Sequence, residues 1–352
     1  MARRQKIIAH SVTYSILRSD QKRKSLLARI PSFFWIYWLN FDCVREDLFK
    51  ALRETWQIDE EEYRKAFGAD SKDAAGLKPI GTLQYHTTLL LASELIVYAG
   101  DMGYSGSTFF TTTNNTYLVK SIPRHFESSF FKNDLLLPYA EYMHDNPSSL
   151  LVRITDFLAC NQWSLGTALS LAPTHHIIME NIKTGEGEGW ETYDLKPMSY
   201  FYPERDVAGG VLTSEATKSK LADDFNEKIS LSVDDAAEFT LQLQKDTAFL
   251  AAHNAVDYSL FLIRIPSSTS TPSPPTWRTG IPSSDGKWIY RAAILDFFWA
   301  KHKVHAKAMT GLIKAYNTVD RQGPMSVTTE SGEYRERFLK MCTEMVETGR
   351  GE

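Results

Sequence analysis

Two apolar runs late in the chain each carry a single aspartate. NAVDYSLFLIRI, residues 254–265, holds Asp257 at its entrance, and AAILDFFW, residues 292–299, holds Asp296. The surrounding residues predict buried strands, yet stripping an ionised carboxylate of water without a partner costs roughly several kcal/mol. Two carboxylates held near one another repel unless a cation lies between them or one is protonated. Any fold that accepts this chain has to give both aspartates a partner.

Composition allows a fold of that kind. A chain of 352 residues with 43% hydrophobic and 23% charged content is long enough for one large domain or two lobes. A formal charge of −4 argues against a general polyanion binder, and no nucleic-acid partner is expected. Charge is nevertheless uneven: Arg3, Arg4, Lys6, Arg18, Lys22, Arg23, Lys24 and Arg29 face only Asp20 before residue 31, which marks 1–40 as a basic amino-terminal segment. Such a segment either meets an anionic membrane surface, at about 1 kcal/mol per residue, or forms a solvated helix face. Cys43, Cys160 and Cys342 lie far apart without CxxC spacing, so neither a zinc site nor a disulfide framework is indicated, and a reducing, cytoplasmic setting is expected. The apolar stretch Phe33 to Leu39 is too short to span a bilayer.

Along the chain, FDCVREDLFKALRETWQIDEEEYRKAF (41–67) places Val44, Leu48 and Leu52 at helical spacing and pairs Glu46 with Lys50, predicting an amphipathic helix leading into a second. Thr87 to Val97 is apolar enough for a helix or strand. GDMGYSGSTFFTTTNNTYLVKSI (100–122) predicts a glycine-rich turn and then a hairpin about Asn114-Asn115. His125 to Met143 has helical spacing, Leu150 to Leu158, His175 to Ile182 and Gly189 to Leu195 are predicted strands, and Lys218 to Phe249 is mostly helix. PSSTSTPSPPTWRTGIPSSD (266–285) is rich in serine, threonine and proline and predicts a mobile insertion.

Four features bear on chemistry. Gly103, Ser105, Gly106 and Ser107 form a turn whose amides suit an anion, although glycine-serine turns are common. Lys120, at the end of the following strand, is either a point charge for nucleotide phosphates, held by an acid such as Glu127, or a solvent-facing edge lysine. Tyr193-Asp194-Leu195-Lys196 sets opposite charges on one side of a strand, which alone reads as a salt bridge. For Asp257 and Asp296, magnesium with nucleotide phosphates is the usual solution to their repulsion. His175 and His176 are adjacent and point to opposite faces of a strand, which favours core or surface histidines over metal ligands.

Taken in order, these segments resemble the phosphatidylinositol phosphate kinase family over about Phe41 to Met341. GYSGSTFF and YLVKSI are similar to its phosphate-binding loop and nucleotide lysine, HHIIMENI to its hinge strand, and YDLK to the start of its DLKGS motif. LQLQKDTAFLAAHNAVDYSLFLIR matches its D..FL…N..DYSL pattern, AILDFF its metal-binding segment, AKHKVHAKAM its basic activation loop and GPMSVTTESGEYRERFLKM its closing segment.

The resemblance implies an α+β, two-lobed kinase-like fold, shared with SAICAR synthetase, with antiparallel sheets in both lobes and flanking helices. It implies an N-lobe over 41–182 and a C-lobe over 183–352, with an activation loop at about 300–325. ATP is implied at Gly103, Ser105, Gly106, Ser107 and Lys120, with Glu127 supporting the lysine and Met179, Glu180, Asn181 and Ile182 against adenine. Asp257 becomes the catalytic carboxylate, Lys196 a cation neutralising charge on the transferred group, and Asp296 the ligand of Mg²⁺. Lys301, Lys303, His305 and Lys307 are implied to face a phosphoinositide at a peripheral membrane surface, and the family's amino-terminal region often supports a homodimer.

Two departures bear on substrate. Pro197-Met198 stand where the family has Gly-Ser, removing a backbone donor. His305 occupies the activation-loop position that helps choose between monophosphate isomers. A soluble small-molecule kinase or SAICAR synthetase-like amide ligase therefore stands as the second reading. A pseudokinase scaffold is the third, opposed by the presence of Lys120, Asp257 and Asp296 together.

Overall fold

The computed structural model describes residues 3–18, 36–68, 77–79, 107–162, 164–169, 171–200, 225–267, 274–300 and 326–349. Thr87 to Val97, Gly103, Ser105, Gly106, Lys301, Lys303, His305, Lys307 and all but Ala300 of the activation loop lie outside the described residues. The chain divides into two compact units, one of residues Met1–Ser128 and Arg153–Thr184, the other of Ser129–Val152 and Gly185–Glu352.

The first unit is built on a six-stranded sheet. Its strands are β1 (Phe41–Cys43), β2 (Leu77–Pro79), β3 (Phe109–Thr112), β4 (Tyr117–Ser121), β5 (Ile154–Cys160) and β6 (His175–Glu180), in the order β1-β5-β6-β4-β3-β2. Every neighbouring pair is antiparallel. The β3–β4 hairpin turns where its sequence predicts: Asn115 adopts φ 58°, a conformation asparagine tolerates better than most residues, and Asn114 Oδ1 accepts from Thr112 Oγ1 at 2.7 Å.

The amino-terminal segment is not simply a basic arm. Helix α1 (Arg3–Leu17) puts Ile8, Ala9 and Val12 into the same core as Phe41, Phe110, Tyr117 and Val119. It also caps the sheet edge, since Ser11 Oγ accepts from Leu39 N at 3.3 Å and Ser15 Oγ from Phe41 N at 3.1 Å. The apolar spacing within 3–17 thus outweighs its charge.

Phe41–Cys43 is strand, and the predicted helix pair starts after it, as α2 (Glu46–Thr55) and α3 (Glu60–Ala66). Glu46 and Lys50 pair at 2.9 Å as their spacing predicts. The inward face of α2 carries Phe49, Leu52 and a charge, Arg53, which is only 2% exposed. Arg53 donates to the Thr155 carbonyl at 2.7 Å, lies 3.2 Å from Asp156 and 2.9 Å from Glu60, and covers the Tyr63 ring at 4.5 Å. Asp156 takes further bonds from the Tyr63 hydroxyl at 2.9 Å and the Cys43 thiol. Helices α2 and α3 are thereby fastened to β5 through a buried, fully partnered charge.

The second unit includes Ser129–Val152, which a continuous N-lobe over 41–182 does not anticipate. Helix α4 (His125–Phe130) passes through a π-helical turn, Phe131–Leu135, into α5 (Leu136–Asp145), and this stretch carries its aromatics into the second unit's core. Phe131 packs edge-on against Phe298 and Tyr139 stacks on Phe297, with centroids 5.2 and 5.9 Å apart.

The principal sheet here contains β7 (Glu191–Leu195), β10 (Ser259–Pro266), β11 (Ile281–Pro282) and β12 (Trp288–Leu295) in the order β11-β12-β10-β7, again antiparallel. Beside it lie two short pairs: β8 (Ile229–Leu231) with β14 (Val346–Thr348), which is parallel, and β9 (Ala255–Val256) with β13 (Trp299–Ala300). Helix α6 (Val233–Ala252) starts at Ser232, whose hydroxyl accepts from Asp235 N at 3.1 Å, and it makes contact with α7 (Ser331–Met345).

Buried in α6, Asp246 accepts from the Tyr142 hydroxyl, the Ser149 hydroxyl and the Leu150 amide, each at 2.7 Å. It fixes the chain between α5 and β5 to the second unit.

The predicted mobile insertion over 266–285 is corrected for its second half. Trp277 is 4% exposed and packs on Phe239 at 4.3 Å, and Arg278 donates to the carbonyls of Ser149 and Leu151 at 2.6 and 2.8 Å. Composition averaged over twenty residues hid one tryptophan and one arginine that supply the apolar area and donors for order. Residues 268–273 lie outside the described residues.

Candidate active site

Strand register in the second unit assembles the central cluster. Leu295, the last residue of β12, pairs with Ser259, the first of β10, and Leu260 pairs with Leu195, the last of β7. Asp296, Asp257 and Lys196 each lie one or two residues beyond those positions, so the same sheet edge presents all three. Asp257 and Asp296 both adopt left-handed backbone, φ 66° and 62°. That conformation costs an L-residue on the order of 1 kcal/mol and is held only where the surroundings impose it. Here they do: β9 pairs with β13, closing the chain on either side, while Phe297 and Phe298 anchor the residues after Asp296.

Lys196 Nζ donates to Asp257 Oδ2 at 3.0 Å, and both side chains are 17% exposed. Burial alone would push the Lys196 ammonium down, but the carboxylates of Asp257, Asp194 and Asp296 outweigh it and hold the group above the usual lysine range. Lys196 is therefore a fixed positive charge at neutral pH. The lysine read as a salt-bridge partner of Asp194 also makes a hydrogen bond to Asp257, and the Asp194 carboxylate helps to hold its charge.

On its other oxygen, Asp257 accepts from Ser326 Oγ at 2.6 Å. This serine opens the 3-10 turn Ser326–Thr328 and is fully buried. Three tyrosines join the segments around it: Tyr200 meets Thr329 Oγ1 at 3.2 Å and stacks on Tyr334 at 5.5 Å, and the Tyr334 hydroxyl donates to the carbonyl of Tyr258 at 2.6 Å.

Three carboxylates gathered around one ammonium leave negative charge in excess, which suits a divalent cation. Among the described residues no group of three or more His, Cys, Asp or Glu side chains is arranged to hold a metal ion by itself. This donor set fits Mg²⁺, which commonly takes one or two carboxylates and completes its shell with substrate phosphate and water.

The remaining predicted residues that the structure describes lie in the first unit. Lys120 stands on β4, only 6% exposed, with its ammonium 5.4 Å from the Phe109 ring centre. That burial differs from the solvent-facing alternative. Ser107 is likewise buried, just before β3. Glu127 pairs with Arg124 at 3.0 Å. Met179 sits on β6 opposite Leu118, beside the strand that bears Lys120. Glu180 accepts from Arg153 N at 2.9 Å, Asn181 donates to the Asn115 carbonyl at 2.7 Å, and Ile182 is buried. The side chains of Glu180 and Asn181 thus help build the fold.

His176 is fully buried edge-on to Phe41, and burial pushes its imidazole down to about 3. It is a core histidine, as the alternation along β6 predicts. Ser326 escaped sequence reasoning, because a serine in a run of serine and threonine has no spacing that singles it out.

A family model described as phosphatidylinositol-4-phosphate 5-kinase matches residues 90–274, more than half of the chain. The chain belongs to the phosphatidylinositol phosphate kinase family. It is 28% identical over 177 residues to a probable phosphatidylinositol phosphate kinase of Dictyostelium discoideum, covering 49% of this chain and 23% of the relative. Similarity to a phosphatidylinositol 4-phosphate 5-kinase of Plasmodium falciparum is 26% over 216 residues, covering 60% of this chain and 12% of the relative. The human phosphatidylinositol 4-phosphate 5-kinase type-1 beta is 28% identical over 174 residues, covering 49% of this chain and 30% of the relative. These alignments therefore span less than a third of each relative's length.

Proposed function

We propose that the chain transfers the γ-phosphoryl group of ATP to a hydroxyl of a phosphatidylinositol phosphate headgroup at a membrane surface. The observation that carries the reading is the Lys196–Asp257 pair at 3.0 Å, set at one sheet edge with Asp296 at the end of the neighbouring strand. Such a site acts by position and charge more than by covalent chemistry.

In this reading Asp257 accepts the proton of the acceptor hydroxyl, and its left-handed backbone and two hydrogen bonds hold the carboxylate for that task. Lys196 keeps its charge through the reaction and offsets the negative charge that grows on the transferred group. Asp296 would hold Mg²⁺, which when bound would neutralise phosphate charge. Lys120, Ser107 and the glycine-rich turn with Gly103, Ser105 and Gly106 hold the nucleotide phosphates. Met179, Glu180, Asn181 and Ile182 lie against the adenine.

Lys301, Lys303, His305 and Lys307, with the basic charge of 3–29, face anionic lipid. Turnover on vesicles then falls as ionic strength rises, since these contacts are screened over about 10 Å at 0.1 M salt. Among the described residues no helix is long and apolar enough to cross a membrane. A homodimer is part of the same reading.

The test is ATP turnover with vesicles containing phosphatidylinositol monophosphates, compared with soluble hydroxyl and carboxylate acceptors. Labelled phosphate in lipid supports the reading. Label only on a soluble acceptor moves the assignment to a small-molecule kinase or ligase, and nucleotide binding without turnover moves it to a scaffold.

A further inference from the structure

We infer that Ser326 is the positioning residue of Asp257: its hydroxyl, fixed in a buried turn, sets the rotation of the carboxylate that receives the acceptor's proton. The inference rests on the phosphoryl-transfer reading above and adds to it a residue of the closing segment to which the resemblance assigns no role.

A carboxylate held by Lys196 alone is held at one oxygen. A long, flexible ammonium is a point donor that follows its partner through small rotations. The Ser326 bond at 2.6 Å to the second oxygen removes that freedom. The serine itself has little room to move. It is fully buried, Val327 beside it is 4% exposed, and Thr329 N donates back to the Ser326 carbonyl at 3.3 Å. Thr329 in turn meets the Tyr200 hydroxyl at 3.2 Å, and Tyr200 follows Lys196 by four residues. The two donors to Asp257 are therefore tied to each other as well as to the carboxylate.

The chemistry of the donor matters too. A serine hydroxyl is neutral and supplies one proton, so it occupies a single lone pair of Oδ1 and leaves another for the acceptor hydroxyl. A second cation at this place would bind the carboxylate more firmly and weaken it as a base. A hydroxyl orients it without adding charge.

The experiment compares wild type with Ser326→Ala and Ser326→Thr, reading kcat and the KM for ATP on phosphatidylinositol monophosphate vesicles, Tm, and the crystal structure of the alanine protein. Misplacing a reacting group by about 1 Å costs on the order of 10²-fold in rate. Ser326→Ala is accordingly expected to lower kcat by roughly 10- to 100-fold, with KM for ATP within about twofold of wild type and Tm little changed. Ser326→Thr, which retains the hydroxyl, is expected to recover most of the rate. In the alanine crystal, Asp257 is expected in more than one side-chain rotamer, with Lys196 still in reach.

An alanine protein with wild-type kcat overturns the inference, as does an Asp257 carboxylate left in its original rotamer. If the wild type transfers phosphate to no acceptor, the kinase reading fails and the crystal comparison still decides whether Ser326 orients Asp257.

Discussion

Buried aspartates in this molecule come in two kinds. Asp156 and Asp246, in different units, are 6% and 0% exposed and are surrounded by donors from several elements. Asp156 takes Arg53, Tyr63 and Cys43, and Asp246 takes Tyr142, Ser149, Gln242 and the Leu150 amide. Burial pushes both carboxyls above the usual range against the pull of those donors. Asp257 differs: its side chain is 17% exposed, its backbone is left-handed, and the bonds that hold it come from Lys196 and Ser326. A carboxylate enclosed by donors is a fastener, with no room left for a substrate. One that keeps an open side on strained backbone is the one to which the proposed function gives the chemistry.

The largest effect that would break this distinction lies at Asp296. Substitution Asp296→Asn is expected to abolish Mg²⁺-dependent turnover while leaving the thermal midpoint near wild type; full turnover would show that the metal is held elsewhere. Next comes Arg53→Met, which leaves Asp156 buried without its cation. A loss of about 3–5 kcal/mol in urea unfolding is expected, since breaking one side of a buried pair strands the other charge. A loss below about 1 kcal/mol would mean that the Tyr63 and Cys43 bonds suffice.

The smallest effect concerns His176. Its folded pKa of about 3 lies below the ordinary 6.5, so the unfolded chain binds the extra proton across that window. Stability therefore declines as pH falls from about 6.5 toward 3. His176→Leu should flatten that decline in pH-dependent unfolding; an unchanged pH dependence would show that carboxylates alone govern the acid limb.

Much of the site could be read from the sequence where a residue type conflicts with its surroundings. Asp257 and Asp296 stood out because carboxylates in apolar strands demand an explanation, and the structure answers with shared register at one sheet edge. The Asn114-Asn115 hairpin was legible because a tight turn needs a residue that accepts positive φ. What stayed hidden depends on contacts distant in sequence. Ser326 lies 69 residues from Asp257 and Asp246 lies 97 from Ser149, and neither separation leaves a local pattern. Residues 274–285 were misread as mobile because composition cannot show that Trp277 has a partner in Phe239. Ser129–Val152 fell in the second unit because its aromatics and backbone donors find theirs there.

The contrast between the two kinds of aspartate is tested most directly by single-turnover phosphoryl transfer from ATP to phosphatidylinositol monophosphate vesicles, measured for folded Asp257→Asn and Asp246→Asn proteins side by side. Loss of a general base predicts a rate lower by about 10²- to 10⁴-fold for Asp257→Asn. Asp246→Asn should keep the wild-type rate per folded molecule and lose stability instead. Wild-type transfer by Asp257→Asn, or an equal loss of rate in both proteins, would contradict the account.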